Sequence, residues 1–382
     1  TASSTLVISS DYSSATTTAD SGEEWELTLS NFTEVTTTIK FVATNSNNLA
    51  SDQTEISVVV DTTSPSLSSF SILQCDNSLV TSMCLSGGDT LNLYWTSTST
   101  DISYYSIIKD GTSIATTTST TSSQTLSNGT YSMTLVAYDS AGNSATSSSQ
   151  SVEIYTMPIV INVIAWSGTA SSSADVWIEL YNRTGYTIDL SNVIIVANDE
   201  VPYINLSNTI VANGFYLIER GDDTATNVSA DLAVTFSYGL SNTTEQLSVV
   251  HSLGNQASTT LDSTPITSSC SGAWCAGTAS SDYKSMERID KDTSGVDSTN
   301  WASNNTYTKN GADIGGNAIN GTPRARNSTS LLSIGYYCTD ETSSYISGGY
   351  YTQTSGVCTY LSSSISGNSR YGDVYKGTIA SS

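Results

Sequence analysis

Apolar residues recur at every second position along much of this chain, and that period limits the fold more than any other feature. Trp25, Leu27 and Leu29 alternate with Glu26 and Thr28. Leu91, Leu93 and Trp95 alternate with Asn92 and Tyr94, and Tyr131, Met133 and Leu135 with Ser132 and Thr134. Successive side chains of a strand point to opposite faces, so this pattern gives strands with one face in a core and one in water. No apolar repeat near 3.6 residues is sustained over the length of a helix. The water-facing positions carry hydroxyls more often than charges: the 382 residues include 71 serines and 56 threonines, a third of the chain. Hydroxyl-rich acidic sequence can also mark disorder. Against that, 22 Tyr, 6 Trp and 5 Phe are spread over the chain and fall on the alternating runs. Threonine suits a pleated surface. The expectation is an all-β protein of thin β-sandwiches in series.

Charge narrows the function. Lys and Arg number 12 against 35 Asp and Glu, a net charge of −23. Phosphate recognition needs clustered basic residues, so nucleic acid and anionic lipid are poor partners. One histidine removes most acid–base, metal and triad chemistry. No G-x-S-x-G, H-E-x-x-H or P-loop pattern occurs, and the chain reads as non-enzymatic. No run of ~18 apolar residues could span a bilayer, so direct membrane insertion is not expected. No leader is visible before Thr1-Ala2-Ser3-Ser4, so either one has been removed or the numbering starts inside a longer precursor. Residues 1–156 hold only Lys40 and Lys109 against 15 acids, whereas the rest holds 10 bases against 20 acids. That asymmetry favours head-to-tail contact between copies.

The six cysteines fall into three neighbouring pairs: Cys75 with Cys84, Cys270 with Cys275, and Cys338 with Cys358. Six cysteines allow 15 connectivities, and pairing neighbours closes the shortest loops. A zinc site fits less well, because no C-x-x-C spacing occurs and the histidine is remote. Disulfides imply an oxidising compartment, hence an extracellular protein.

Three stretches resemble known families. "EEWELTLSNFTE", "TIKFVATNSNNLASDQTEISVVVDTTSP" and the residues between them resemble bacterial immunoglobulin-like repeats of extracellular proteins, with a turn at Asn45–Asn48 that lacks the usual glycine. Only about 60 residues precede Pro65, fewer than such a sandwich normally takes, so residues 1–65 read as a short or incomplete domain. Residues 66–156 resemble an immunoglobulin-like or fibronectin-III-like module. Trp95 would be its buried strand residue, Lys109-Asp110-Gly111 a hairpin turn and Asp139–Asn143 the turn before the last strand. Residues 157–328 resemble a lamin-tail domain, an immunoglobulin-type sandwich. The motifs, in order, are "IVINVIAWSGTASSSADVWIELYN", "GFYLIER", "GLSNTTEQLSVV", "SLGNQ", "KSMERID", Asn300-Trp301 and "NGTPRARNS". Val163, where many members carry an acid, and the Cys270–Cys275 insertion depart from that pattern. Residues 329–382 form a Tyr-rich tail stapled by Cys338 and Cys358 around Gly348-Gly349. The fold class expected is therefore serial immunoglobulin-like β-sandwiches with a small disulfide-stapled C-terminal β subdomain.

Candidate sites follow from these placements. His251 in "LSVVHSLGN" reads as a surface strand residue rather than a base. Glu179, Glu219-Arg220 and Glu287-Arg288 read as buried ion pairs that fix strand register. No other cofactor is expected, but calcium could be held by Asp61, Asp139, Asp222 and Asp223 with backbone carbonyls, since it takes six to eight oxygens. Trp166, Trp274 and Trp301, if exposed, would suit a carbohydrate-binding module. The short first domain suggests an open sheet edge. It would accept a strand from a neighbouring copy, either the N-terminus or Asp373-Val374-Tyr375-Lys376-Gly377-Thr378-Ile379. The leading expectation is a bacterial surface protein that assembles with copies of itself into a filament or surface layer, or is adhesive. The alternative is a secreted module that binds surface glycans or other cell-surface proteins, or serves a hydrolase outside this chain.

Overall fold

The computed structural model describes residues 5–329 except 10–13, 19–25, 31, 33, 35, 46, 237–238, 243–244 and 255–256, together with the backbones of the strands at 344–346, 349–354 and 357–362. It is all-β, 44% strand and 4% helix. The chain divides into two compact units. The first holds Thr1–Cys75 and Thr90–Glu153, the second Asp76–Asp89 and Ile154–Ser382.

The first unit opens with an antiparallel sheet of β1 (Thr5–Ser9), β2 (Ser14–Thr18), β3 (Thr36–Thr44) and β4 (Thr54–Val59), ordered β2-β1-β3-β4. Register puts Leu6 opposite Ala43, Ile8 opposite Phe41 and Ile39 opposite Ile56, so one face carries the apolar side chains. Leu6 and Ile8 are buried, whereas Ile56 is 51% exposed on β4. Among the described residues β3 is the one strand beside β4.

A sandwich completes this unit. One sheet runs β9-β6-β5, from β5 (Ser69–Ile72), β6 (Thr90–Thr96) and β9 (Thr121–Thr125). The other runs β12-β10-β7-β8, from β7 (Ile102–Lys109), β8 (Thr112–Thr117), β10 (Gly129–Asp139) and β12 (Gln150–Ile154), with β11 (Ser144–Thr146) on β10. Trp95 is buried, as its alternation implies, and packs edge-on against Tyr105 of the other sheet at 5.3 Å. Asp110 (φ 50°) and Gly111 (φ 80°) make the tight turn between β7 and β8, where two left-handed residues match strand twist.

The segment Asp76–Asp89 belongs to the second unit. Leu79, Val80 and Leu85 join that unit's apolar core, and Asp189 donates its N–H to the Leu79 carbonyl. The Cys75–Cys84 disulfide closes the loop from which this segment leaves. Reducing it is expected to lower stability by about 2–3 kcal/mol, the closure entropy of so short a loop. Cys75→Ser with Cys84→Ser, which leaves Cys270–Cys275 intact, should lower the urea midpoint accordingly, and an unmoved midpoint would contradict it.

Two sheets face each other in the second unit. One runs β18-β17-β14-β13-β21-β22, from β13 (Ile159–Ala165), β14 (Trp177–Asn182), β17 (Phe215–Arg220), β18 (Leu232–Val234), β21 (Met286–Arg288) and β22 (Trp301–Ser303). The other runs β16-β15-β19-β20, from β15 (Val193–Ala197), β16 (Tyr203–Asn205), β19 (Leu247–Gly254) and β20 (Ala257–Ser263). Ile161, Ile178, Leu180, Tyr216, Ile218 and Met286 pack toward Ile195, Leu247 and Val249 in the main core. Every residue of β13 is buried, so this strand is covered on both faces. Val163, Ala165, Trp177, Leu217, Ala225 and Ile319 form a second, smaller core on the outer face. Loops around 222–230 and 304–328 supply that cover.

In the tail, strands Ser344–Ile346, Gly349–Thr354 and Val357–Ser362 form an antiparallel sheet. The Cys338–Cys358 pairing and the Asp373–Ile379 strand lie outside the described residues.

Candidate functional site

Irregular loops carry backbone N–H groups that no ladder satisfies, and burying them unpaired is costly. The outer face of the second unit meets this need with carboxylates. A register shift between Ile161 and Val163 leaves Asn162 as a bulge residue, which re-aims it. Val163 then stands between Glu179 on β14 and Glu287 on β21. Glu179 accepts from Asn162 Nδ2 at 2.8 Å and from the Arg324 N–H. Glu287 accepts from the Ser328 N–H (2.8 Å), Ser328 Oγ (2.6 Å), Asn304 Nδ2 (2.6 Å) and Thr322 Oγ1 (3.1 Å). Glu219, two residues from Leu217 on β17, accepts from the N–H groups of Ala225 (2.9 Å) and Thr226 (3.0 Å). Asn327 completes the network by donating to the carbonyls of Asn162 and Arg288. Burial pushes the Glu179 carboxyl up to about 8 and raises Glu219 and Glu287 as well.

These groups correct the ion-pair expectation. Glu179, Glu219 and Glu287 hold loop amides, not basic side chains, because the loops over this face bring donors and few cations. The buried ion pair involves a different acid: Arg288 Nη2 meets Asp262 Oδ2 at 2.5 Å, both fully buried. Asp262 lies on β20 and also accepts the Ile161 N–H of β13, so the pair rivets one sheet to the other. The Arg288 guanidinium lies over the Trp301 ring at 5.1 Å.

The remaining predicted residues disperse. His251 is 3% exposed, not a surface residue, because it shares the inward phase of β19 with Leu247, Val249 and Leu253. Burial drops its pKa to about 4, which keeps it neutral. Asp61 and Asp139 do come together, joined by Asp101, with one oxygen from each within 4.8 Å of the others. Nothing in "TSTDIS" distinguishes Asp101 as sequence. Asp139 Oδ1 already accepts from the Ala141 and Asn143 N–H groups, and Asn143 Nδ2 donates to Asp139 Oδ2. Three carboxylate oxygens are about half of the six to eight that calcium takes. Asp222 and Asp223 lie apart from this cluster: Asp222 accepts from Thr224 Oγ1 and Asp223 from the Ala230 N–H. Trp274 and Trp301 are buried, which corrects their reading as exposed platforms. The Cys270–Cys275 disulfide brackets Trp274 and holds it in the core, where its Nε1 donates to the Ser241 carbonyl.

Trp166 is different. It is half-buried and lines a cleft of about 320 Å³ with Arg220, Asn242, Tyr283, Ser173 and Ser280. A second cleft of about 310 Å³, lined by Asp313 and Asn317, shares Tyr283 with the first. Ser280, Ser281 and Tyr283 all adopt positive φ (48°, 43° and 46°), an uncommon concentration for non-glycine residues.

No protein-family model matches the chain, and no curated protein does. Among solved structures it is similar to part of a 1.5-MDa bacterial ice-binding adhesin, at 14% identity over 68% of this chain and 83% of that one, with a TM-score of 0.25. The central fibronectin-III array of RIM-binding protein aligns at 10% identity over 68% and 87%, with a TM-score of 0.18. The Bacteroides ovatus mixed-linkage glucan utilization protein SGBP-B, in complex with a mixed-linkage heptasaccharide, aligns at 14% identity over 68% and 58%, with a TM-score of 0.15. None of these TM-scores reaches 0.5.

Proposed function

We propose that this is a non-enzymatic bacterial surface protein, structural and adhesive, that associates with copies of itself by strand addition at β4. The carrying observation is the β4 edge. Four of its six residues, Thr54 to Ser57, are exposed, as is Val59 at 74%, and among the described residues it has one strand neighbour. Unpaired edge amides with exposed apolar residues are the template on which another strand builds. Support for a binding rather than catalytic role comes from the raised carboxylates Glu179, Glu219 and Glu287, which are occupied in holding loops. The disulfides suit an oxidising, extracellular setting. No helix among the described residues is long and apolar enough to cross a membrane.

The second unit is read as a lamin-tail-like sandwich. "WIELYN", "GFYLIER", "KSMERID" and "NGTPRARNS" supply Glu179, Glu219, Glu287 and Asn327; Glu179, Glu287 and Asn327 are joined through Asn162 and Thr322, and Glu219 holds its own loop at Ala225 and Thr226. Light scattering across a concentration series tests the assembly. The wild type should form higher species that Ile56→Lys with Val59→Lys removes, since two edge lysines oppose pairing. A wild-type monomer at every concentration would overturn the proposal.

A further inference from the structure

We infer that the Trp166 cleft of the second unit binds a glycan through a single acidic sugar, with the sugar carboxylate on Arg220. The inference goes beyond self-association at β4 and does not depend on it, since the two surfaces lie on different units and are altered by different variants.

Arg220 is the first reason. In a chain of net charge −23, its guanidinium has no carboxylate within 4 Å among the described residues. It is steadied instead by the Phe236 carbonyl (3.1 Å from Nε), the Ala174 carbonyl (3.4 Å from Nη1) and the Phe236 ring, 5.8 Å away. Those contacts use two of its five donors. Among the described residues the rest have no partner, and they lie in the cleft that Arg220 lines, in the fork that suits a carboxylate bidentately.

Trp166 is the second reason. Its Nε1 donates to the Ala276 carbonyl at 2.9 Å, and its ring stacks on Trp274 at 6.5 Å and 14°. The indole is thus fixed before any ligand arrives, which reduces the ordering cost of binding. Tyr283, in the positive-φ loop, adds a second aromatic ring and lines both clefts. Aromatic faces accept the C–H face of a pyranose, while Asn242, Ser173 and Ser280 can bond ring hydroxyls.

The accessible lining is mostly polar, with Val176, Leu240 and Ala279 its apolar members, and the volume is small, which disfavours a purely apolar ligand. The overall charge selects against a long polyanion, which the rest of the surface would repel. An isolated uronic acid on an otherwise neutral chain satisfies both conditions.

Calorimetric titration of the oxidised full chain tests this. The probes are a neutral oligosaccharide and its counterpart ending in an uronic acid. The acidic probe should bind about tenfold or more tightly than the neutral one, the scale of one charge-assisted bidentate contact. Arg220→Gln should erase that preference while leaving assembly by light scattering unchanged. Tyr283→Ala, on an exposed loop, should weaken both probes with an unchanged melting temperature. Equal binding of the two probes, no binding of the acidic probe at millimolar concentration, or a preference that survives Arg220→Gln would each overturn the inference.

Discussion

Asp262→Ala is expected to cost about 3–5 kcal/mol, because it leaves the Arg288 charge buried without its partner. Arg288 and Asp262 are both sealed from solvent, and the surroundings cannot admit water easily. A Cβ at Gly295 would already collide with Arg288 Nη2 and the Ser263 carbonyl. The loss also removes the acceptor of the Ile161 N–H, so a strand of one sheet loses its bond to the other. The measurement is the urea midpoint. The paired replacement Asp262→Leu with Arg288→Met separates a lost interaction from an orphaned charge. It should recover most of the stability, because apolar residues of similar volume commonly replace a buried ion pair at little cost. A double variant as unstable as Asp262→Ala would mean that the contacts of Arg288 with Trp301 and Thr293, not its charge, dominate.

The second large effect is a loss of stability on raising the pH from 6.5 to 8. Glu179 keeps its proton to about pH 8 in the folded protein and loses it near 4.5 when unfolded. A group whose folded pKa is raised gives stability that is complete below the unfolded pKa and is lost as pH climbs through the folded one. At 1.36 kcal/mol per pH unit, the change from 6.5 to 8 is about 2 kcal/mol. Glu245, pushed up to about 7 by burial, acts in the same direction at the start of that window. His251 acts below it: its depressed pKa gives stability present above 6.5 and lost as pH falls toward 4. Between 4.5 and 6.5 the two glutamates together outweigh the histidine, so stability should already decline gently before the steeper fall above 6.5. Glu179→Gln should flatten the slope between 6.5 and 8 while lowering the whole curve, because an amide can accept only one of the two N–H groups that Glu179 receives. A wild type whose stability rises over that window would show Glu179 ionised and stabilised in place.

The sheets were legible because alternation is a local signal. Trp95 and its strand could be read from alternation alone, whereas the Asp110-Gly111 turn and the strands that carry "WIELYN" and "GFYLIER" stood out through their resemblance to known sandwich modules, since those two strands are buried on both faces. The outer face of the second unit was harder. Glu179, Glu219 and Glu287 stood out as acids within apolar strands, but their partners are amides of loops up to 145 residues away, which no spacing reveals. The same applies to Asp262, an ordinary acid in a Thr-rich strand. Its burial follows from β13 and β20 meeting where the two sheets close. His251 misled because a polar residue in an alternating strand is normally assigned to the wet face, although its phase with Val249 already placed it inward. Asp76–Asp89 could not have been assigned to the second unit from sequence, because its turn-rich composition suits a surface loop. Leu79, Val80 and Leu85 are buried because they are part of the second unit's own core.

The central claim is that copies of this chain meet along β4. Amide hydrogen exchange of Thr54–Val59 in dilute and in concentrated protein tests it most directly. An edge strand that gains a partner should exchange more slowly at high concentration, while β10 and β14, inside their sheets, stay unchanged. Equal exchange of β4 at both concentrations would contradict the account.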